Sequence, residues 1–194
     1  MNPKNMRWRR TALLAAMLVT AALASGCAIQ ATVYQPSIAN VEQLKKLDPP
    51  PIKVGAFQVK PGAEGGSSIS LRGNPMQSPV GGDYAAYLAD ALRQELVLAG
   101  KFKPDAGIDV RGELLKNDIA AGGFSTNSGE IEARFIVLRG NEERYNNVLR
   151  ASDSWESSFI GAVAIPKAQQ QYPVLVQKLL AALFGDARFQ AAIR

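Results

Sequence analysis

The sequence predicts an α+β fold, a single β-α-β-β-β-α domain in which a mixed or antiparallel sheet carries two helices on one face. Three observations lead there. Within 108–159, apolar and polar residues alternate in three successive stretches, the period-two pattern of strands with one dry and one wet face. Two other stretches, 84–99 and 169–184, repeat their apolar residues at helical spacing. The strands are grouped rather than alternating one by one with helices, which favours helices laid on a sheet over repeated βαβ units.

The first strand is expected over 52–60, with Ile52, Val54, Ala56 and Gln58 on one side and Lys53, Gly55, Phe57 and Val59 on the other. Apolar residues on both faces suit a central place in the sheet. The segment 61–82 is rich in Gly, Ser and Pro and reads as a long loop, interrupted only by Ile69, Leu71 and a short edge strand. Its pairs Gly65-Gly66 and Gly81-Gly82 lack the Gly-Lys-Ser/Thr ending of a phosphate loop.

Asp83 is placed to cap a helix over 84–99 and Gly100 to end it. Tyr84, Tyr87, Leu88, Ala91, Leu92 and Leu96 form its apolar face; the tyrosines fit either a groove lining or simple packing. In the meander, Ile108, Val110, Gly112 and Leu114 share a phase, as do Ile131, Ala133, Phe135 and Val137, and then Leu149, Ala151, Trp155 and Phe159. Gly140-Asn141 marks a hairpin, and Ala121-Gly122-Gly123 with Asn127-Ser128-Gly129 a longer turn. Pro173 is tolerated only in a first turn, so the second helix is expected to start near Gln170, after Pro166 has closed the sheet region. Gly185 stops it, and Asp186 can cap a short terminal helix.

The N-terminus has a different character. Arg7, Arg9 and Arg10 precede the apolar run 11–23, and Ala24, Ser25 and Gly26 lead to Cys27, the chain's one cysteine. This resembles a bacterial lipoprotein signal, although Ala24 stands where that signal prefers Leu, Val or Ile. An ordinary secretory signal gives no reason for the cysteine, and a retained membrane helix needs about 20 apolar residues. A buried structural cysteine would have to lie in a removable segment. The resemblance implies cleavage between Gly26 and Cys27 and acyl chains on Cys27 that tether the domain to a membrane. Ala28, rather than Asp, follows the cysteine, which in a Gram-negative source implies the outer membrane, periplasmic side. The expected organisation is therefore a signal peptide over 1–26, a lipidated Pro-rich tether over 27–51, containing a helix-like stretch at 39–47 and Asp48-Pro49-Pro50-Pro51, and a domain over 52–194.

Composition narrows the function. Four of the 22 basic residues (Lys4, Arg7, Arg9 and Arg10) precede Cys27 and no acidic residue does, leaving 18 basic against 17 acidic. Near-neutral charge gives no footprint for nucleic acid. With no histidine and no second cysteine, His-based catalysis, His-ligated metal sites and internal disulfides are all excluded. No cofactor is expected.

The helix-glycine unit 84–101, the meander 108–159, Arg150-Ala151-Ser152 and the closing Asp186-Ala187-Arg188-Phe189 resemble YajG-type lipoproteins, with an architecture shared by TolB N-terminal and LptE-like modules. The resemblance implies a non-enzymatic envelope lipoprotein whose partner is another envelope protein or complex. Arg111, Arg134, Arg150, Trp155 and Phe159 are the candidate contact residues, because Arg and aromatics concentrate binding energy. For the arginines the plainer account is cross-strand pairing with Glu113, Glu130 and Glu132, and for Trp155 and Phe159 it is the core. Two alternatives stay open. An auxiliary lipoprotein of lipid or lipopolysaccharide transport calls for an apolar cleft. A hydrolase calls for a concave cluster among Asp109, Glu113, Glu130 and Glu132.

Overall fold

The computed structural model describes residues 29–194; Gly26 and Cys27 lie outside the described residues. The elements run β1 (Ile29–Gln30), α1 (Ile38–Leu47), β2 (Ile52–Glu64), β3 (Ser68–Leu71), β4 (Asn74–Gln77), α2 (Tyr84–Leu98), β5 (Ile108–Ala120), β6 (Thr126–Arg139), β7 (Glu142–Glu156), α3 (Gly161–Gly185) and α4 (Ala187–Ala192). The main sheet has the order β2-β5-β6-β7, with β2 parallel to β5 and the other pairs antiparallel. Helices α2 and α3 cover one face. The α+β fold expected from the alternation is the one observed.

Local signals explain the elements. Asp83 accepts the Ala86 N–H at 2.7 Å and starts α2. At its other end Lys101 N–H bonds Leu96 C=O and Gly100 N–H bonds Val97 C=O, a Schellman ending that Gly100 permits at φ +71°. Asp186 caps α4 through the Arg188 N–H. Arg139 pairs with Glu142, so Gly140-Asn141 forms the two-residue hairpin between β6 and β7. Asn127, Ser128 and Gly129, expected in a turn, belong to β6 instead.

Strand β2 is an edge strand, not a central one. A register shift between Val54 and Phe57 brings Ile52, Val54, Phe57 and Val59 opposite Ile108, Val110, Gly112 and Leu114. The bulge turns a sequence with two apolar faces into a strand with one. Gly112 makes room for the Phe57 ring, which meets Phe135 edge-on with centroids 6.3 Å apart.

The expected loop 61–82 is built. It extends β2 to Glu64 and then forms the hairpin β3–β4, which with β1 makes a second sheet of order β1-β4-β3. Ile69, Leu71 and Met76 are its buried residues.

The tether expected over 27–51 is likewise corrected, because from Ile29 onward the segment belongs to the domain. Tyr34, Val41 and Leu44 are core residues, and Tyr34 meets Tyr87 edge-on. Glu95, fully buried on α2, receives the Tyr34 hydroxyl, the Ser37 N–H at 3.1 Å and Asn40 Nδ2 at 3.1 Å, all on one oxygen. Burial raises the Glu95 carboxyl above the ordinary range, and these three donors offset only part of that.

Helix α3 begins at Gly161, so both Pro166 and Pro173 lie inside it. Proline at 173 has no N–H for the Gln169 carbonyl one turn earlier. The N-terminal segment supplies the replacement: Thr32 N–H reaches Gln169 C=O at 3.4 Å, and Gln169 Nε2 donates to Gln30 C=O at 2.6 Å. A helix break that looks forbidden within its own element is satisfied by a partner 137 residues away in sequence.

Candidate functional site

Two surfaces hold the candidate residues. The first is the outer face of the main sheet, away from the helices. Arg111 pairs with Asp109 at 2.9 Å, and Lys53 reaches the same carboxylate at 3.6 Å. That carboxylate leans over Gly55, where a Cβ would lie 2.2 Å from Asp109 Oδ1. Arg134 lies 3.5 Å from Glu113 and donates to Asn146 at 3.0 Å. Arg150 and Lys116 converge on Glu130, Lys116 at 3.3 Å. Partial desolvation acts to raise the Glu130 carboxyl, but the two cations outweigh it and hold the group below its usual range. The three arginines are thus the positive members of a charge ladder on this face: Arg134 lies directly across from Glu113, Arg150 reaches Glu130 diagonally, and Arg111 pairs with Asp109 along its own strand.

The four carboxylates considered for hydrolysis are dispersed, with Glu130 and Glu132 lining separate clefts, Glu132 beside Glu64 and Lys116. Asp109 and Glu113 pair with their own cations, while Glu130 sits further along the sheet beside an open cleft of about 400 Å³. That cleft brings Glu130 together with Asp118, Asp153, Ser128, Ser152 and Ser154. Asp118 and Asp153 were not singled out by the sequence because only strand register reveals that Asp118 faces Glu130 and that Asp153 faces the neighbouring Gly129. Asp153 is held by Lys178 of α3 at 2.7 Å.

The second surface is the tip where β5 turns into β6 and β7 leads to α3. Trp155 does not contribute to it; at 8% exposure it is packed on the helix side, with its ring over Gly129. Phe159 contributes: of its two expected placements, contact residue or core, the core one is overturned by its exposure. Strand β7 ends at Glu156, Ser157 N–H closes on Ser125 C=O at 2.7 Å, and the alternation of the strand stops short of Phe159. Phe159 is 62% exposed and stacks on Phe124, 78% exposed, with planes 13° apart and centroids at 4.9 Å. Ile160 and Val163 are exposed beside them.

Arg72 ties this tip together. It occupies the β3–β4 turn at φ +53°, an uncommon conformation for a residue with a side chain. Its guanidinium donates to Ala121 C=O at 2.7 Å, Ser158 C=O at 3.1 Å, and the Phe159 and Gly123 carbonyls, and lies 5.7 Å from the Phe159 ring centroid. Sequence reading missed Phe124 and Arg72. The available signal was a lone phenylalanine within the glycine-rich turn Gly122-Gly123-Phe124-Ser125.

The tyrosines considered as a groove lining are interior. Tyr84, Tyr87 and Tyr172 pack at centroid distances of 4.8 to 6.3 Å, and burial raises all three hydroxyls. With Phe135 and Phe184 they fill the space between sheet and helices. Among the described residues, no helix is long and apolar enough to cross a membrane.

The geometry defines an α+β module with a paired outer sheet face and an apolar tip. A solved structure of a Xanthomonas campestris protein of the DUF330 family has the same fold, at TM-score 0.52 and 14% identity, covering 84% of this chain and 95% of that one. A Caulobacter crescentus protein provisionally named a lipoprotein matches at TM-score 0.45 and 13% identity, over 79% of this chain and 96% of its own. A Chlamydia trachomatis protein matches at TM-score 0.44 and 14% identity, over 74% and 98%. The first likeness establishes the fold. No family model and no curated protein matches the sequence.

Proposed function

We propose that the chain is a lipid-anchored envelope lipoprotein facing the periplasm, a non-enzymatic accessory module that binds another envelope protein or complex. The observation that carries this reading is the join between leader and domain. The basic and apolar leader ends in Ser25-Gly26-Cys27, and β1 begins at Ile29. Cleavage before Cys27 keeps every described element in the mature chain, and the residue left at the new N-terminus is the one that can be acylated. Each buried acyl methylene contributes roughly 0.8 kcal/mol, so two or three chains hold a domain with no membrane span of its own.

Strand β7 supports the binding role. It ends the sheet order on one side and runs for 15 residues, offering backbone groups to which a partner strand can add. The charge ladder with Arg111, Arg134 and Arg150 lies on the adjacent outer face and supplies specificity. The finer YajG-type assignment and the outer-membrane location belong to this proposal and rest on element order and on Ala28 after the cysteine.

The test compares the native protein with Cys27→Ala in cells, by membrane fractionation, intact mass and in-cell crosslinking. The expected result is an acylated native protein in the membrane fraction, crosslinked to one envelope complex that the variant loses. An unmodified Cys27 on a freely soluble protein contradicts the anchor. An acylated protein with no crosslinked partner contradicts the accessory role.

A further inference from the structure

We propose that the tip built by Phe124, Phe159, Ile160 and Val163 is a membrane-docking surface, seated in the headgroup layer of the leaflet that holds the acyl chains on Cys27. This rests on the anchoring reading above and adds a second contact between domain and lipid.

The position of the chain's entry into the fold commits the tip to lipid. Strand β1 is parallel to β4, with Ile29 opposite Met76 and Gln30 opposite Gln77. Strand β4 runs away from the Arg72-Gly73 turn, so β1 does too, and the chain enters β1 from the turn end. Only two residues of chain, about 7 Å when fully extended, separate Cys27 from Ile29. Met76 is itself only about 7 Å of strand from Asn74 at the turn. Arg72 of that turn is bonded to the carbonyls of Ser158 and Phe159. The acylated residue and the exposed aromatic pair are therefore confined to the same end of the molecule.

The chemistry of the tip fits a bilayer interface. In a chain that is 20% charged, the segments Leu71-Arg72-Gly73-Asn74, Ala121-Gly122-Gly123-Phe124-Ser125 and Ser157-Ser158-Phe159-Ile160-Gly161-Ala162-Val163 contain a single ionisable side chain, Arg72. That one charge is a cation, the sign that lipid phosphates attract. The aromatic pair and two aliphatic side chains project without a covering partner among the described residues. Helix α3 also opens here, and its N-cap Ile160 makes no side-chain bond to the first turn. Phosphate oxygens suit such an end. With the tip docked, the Gly140 hairpin lies at the far end of the 14-residue β6, at most about 45 Å of strand from the tip at about 3.3 Å per residue.

The test uses full-length acylated Phe159→Trp, with Phe124→Trp as an independent probe, in vesicles of phosphatidylethanolamine and phosphatidylglycerol with brominated or plain acyl chains. The mature chain otherwise has only Trp155, which is buried and supplies the subtracted reference and a check on folding. Intact mass of the same sample reports acylation. The expected result is an acylated protein whose new tryptophan is blue-shifted and loses most of its emission to bromine, while Trp155 does not. Acylation without quenching, whether the emission is that of a water-exposed or a protein-covered indole, overturns the docking and leaves the anchor standing. Quenching without acylation supports the lipid-seeking tip and removes the anchor. Neither acylation nor quenching overturns both.

Discussion

The N-terminal segment and the outer face of the main sheet are both organised by polar side chains, and they use them in opposite ways. In the segment, one buried carboxylate, Glu95, gathers three donors from Tyr34, Ser37 and Asn40 out of water. On the outer face, Glu113 and Glu130 meet Arg134, Lys116 and Arg150 at the solvent boundary, the basic side chains 39 to 60% exposed. Removing one partner from a buried cluster leaves the others unsatisfied, whereas removing one from an exposed pair returns the other to water. The interior set therefore holds the chain in place, whereas each exterior pair can be lost at little cost to the fold.

The largest effect that sharpens this contrast is expected from Glu95→Leu. Three donors lose their acceptor, so the variant should unfold with about 3 kcal/mol less stability in urea, and residues 34–40 should become sensitive to protease. A loss as small as that of a surface pair would break the comparison. Arg72→Ala is intermediate: the guanidinium is half-solvated, but its carbonyl acceptors have no other donor from that side chain. It should cost about 1–2 kcal/mol, and Arg72→Gly, which relaxes the φ of +53°, should cost less.

Glu95→Gln isolates ionisation from hydrogen bonding. A carboxyl whose folded-state value is raised favours the folded state while protonated, and that contribution is lost as pH climbs through the raised value. Urea midpoints should therefore show the wild type losing ground to Glu95→Gln as pH rises from about 4.5, with the two converging below it. Parallel profiles would mean that Glu95 titrates as an ordinary surface carboxylate. The smallest effects belong to the outer face, where Arg134→Ala and Arg150→Ala should each change stability by less than about 1 kcal/mol, and less again in high salt.

The same contrast explains why some elements were legible in the sequence and others were not. The meander, the capped helix α2 and the Gly140-Asn141 hairpin were legible because each is fixed by local periodicity or a local cap. The segment 29–51 was not, since what makes Tyr34 and Asn40 interior is a glutamate on another helix, seen from sequence as one more polar residue on an amphipathic face. Pro173 misled for the same reason, its missing bond being replaced from Thr32. Of the candidate contact residues, the arginines were placed correctly on the open face, while Trp155 and Phe159 shared a phase that survives only as far as β7 does.

The segment from Ile29 onward is part of the folded body, so under the anchoring proposal the acylated residue is followed almost at once by packed structure. Hydrogen exchange on the mature protein, comparing peptides from 31–47 with those of α2, decides whether this segment is built into the fold. Slow exchange is expected in both, including the Thr32 and Val41 amides that bond Gln169 and Ser37. Complete exchange of 31–47 at the earliest time, with α2 protected, would make the segment a free tether and contradict that packing.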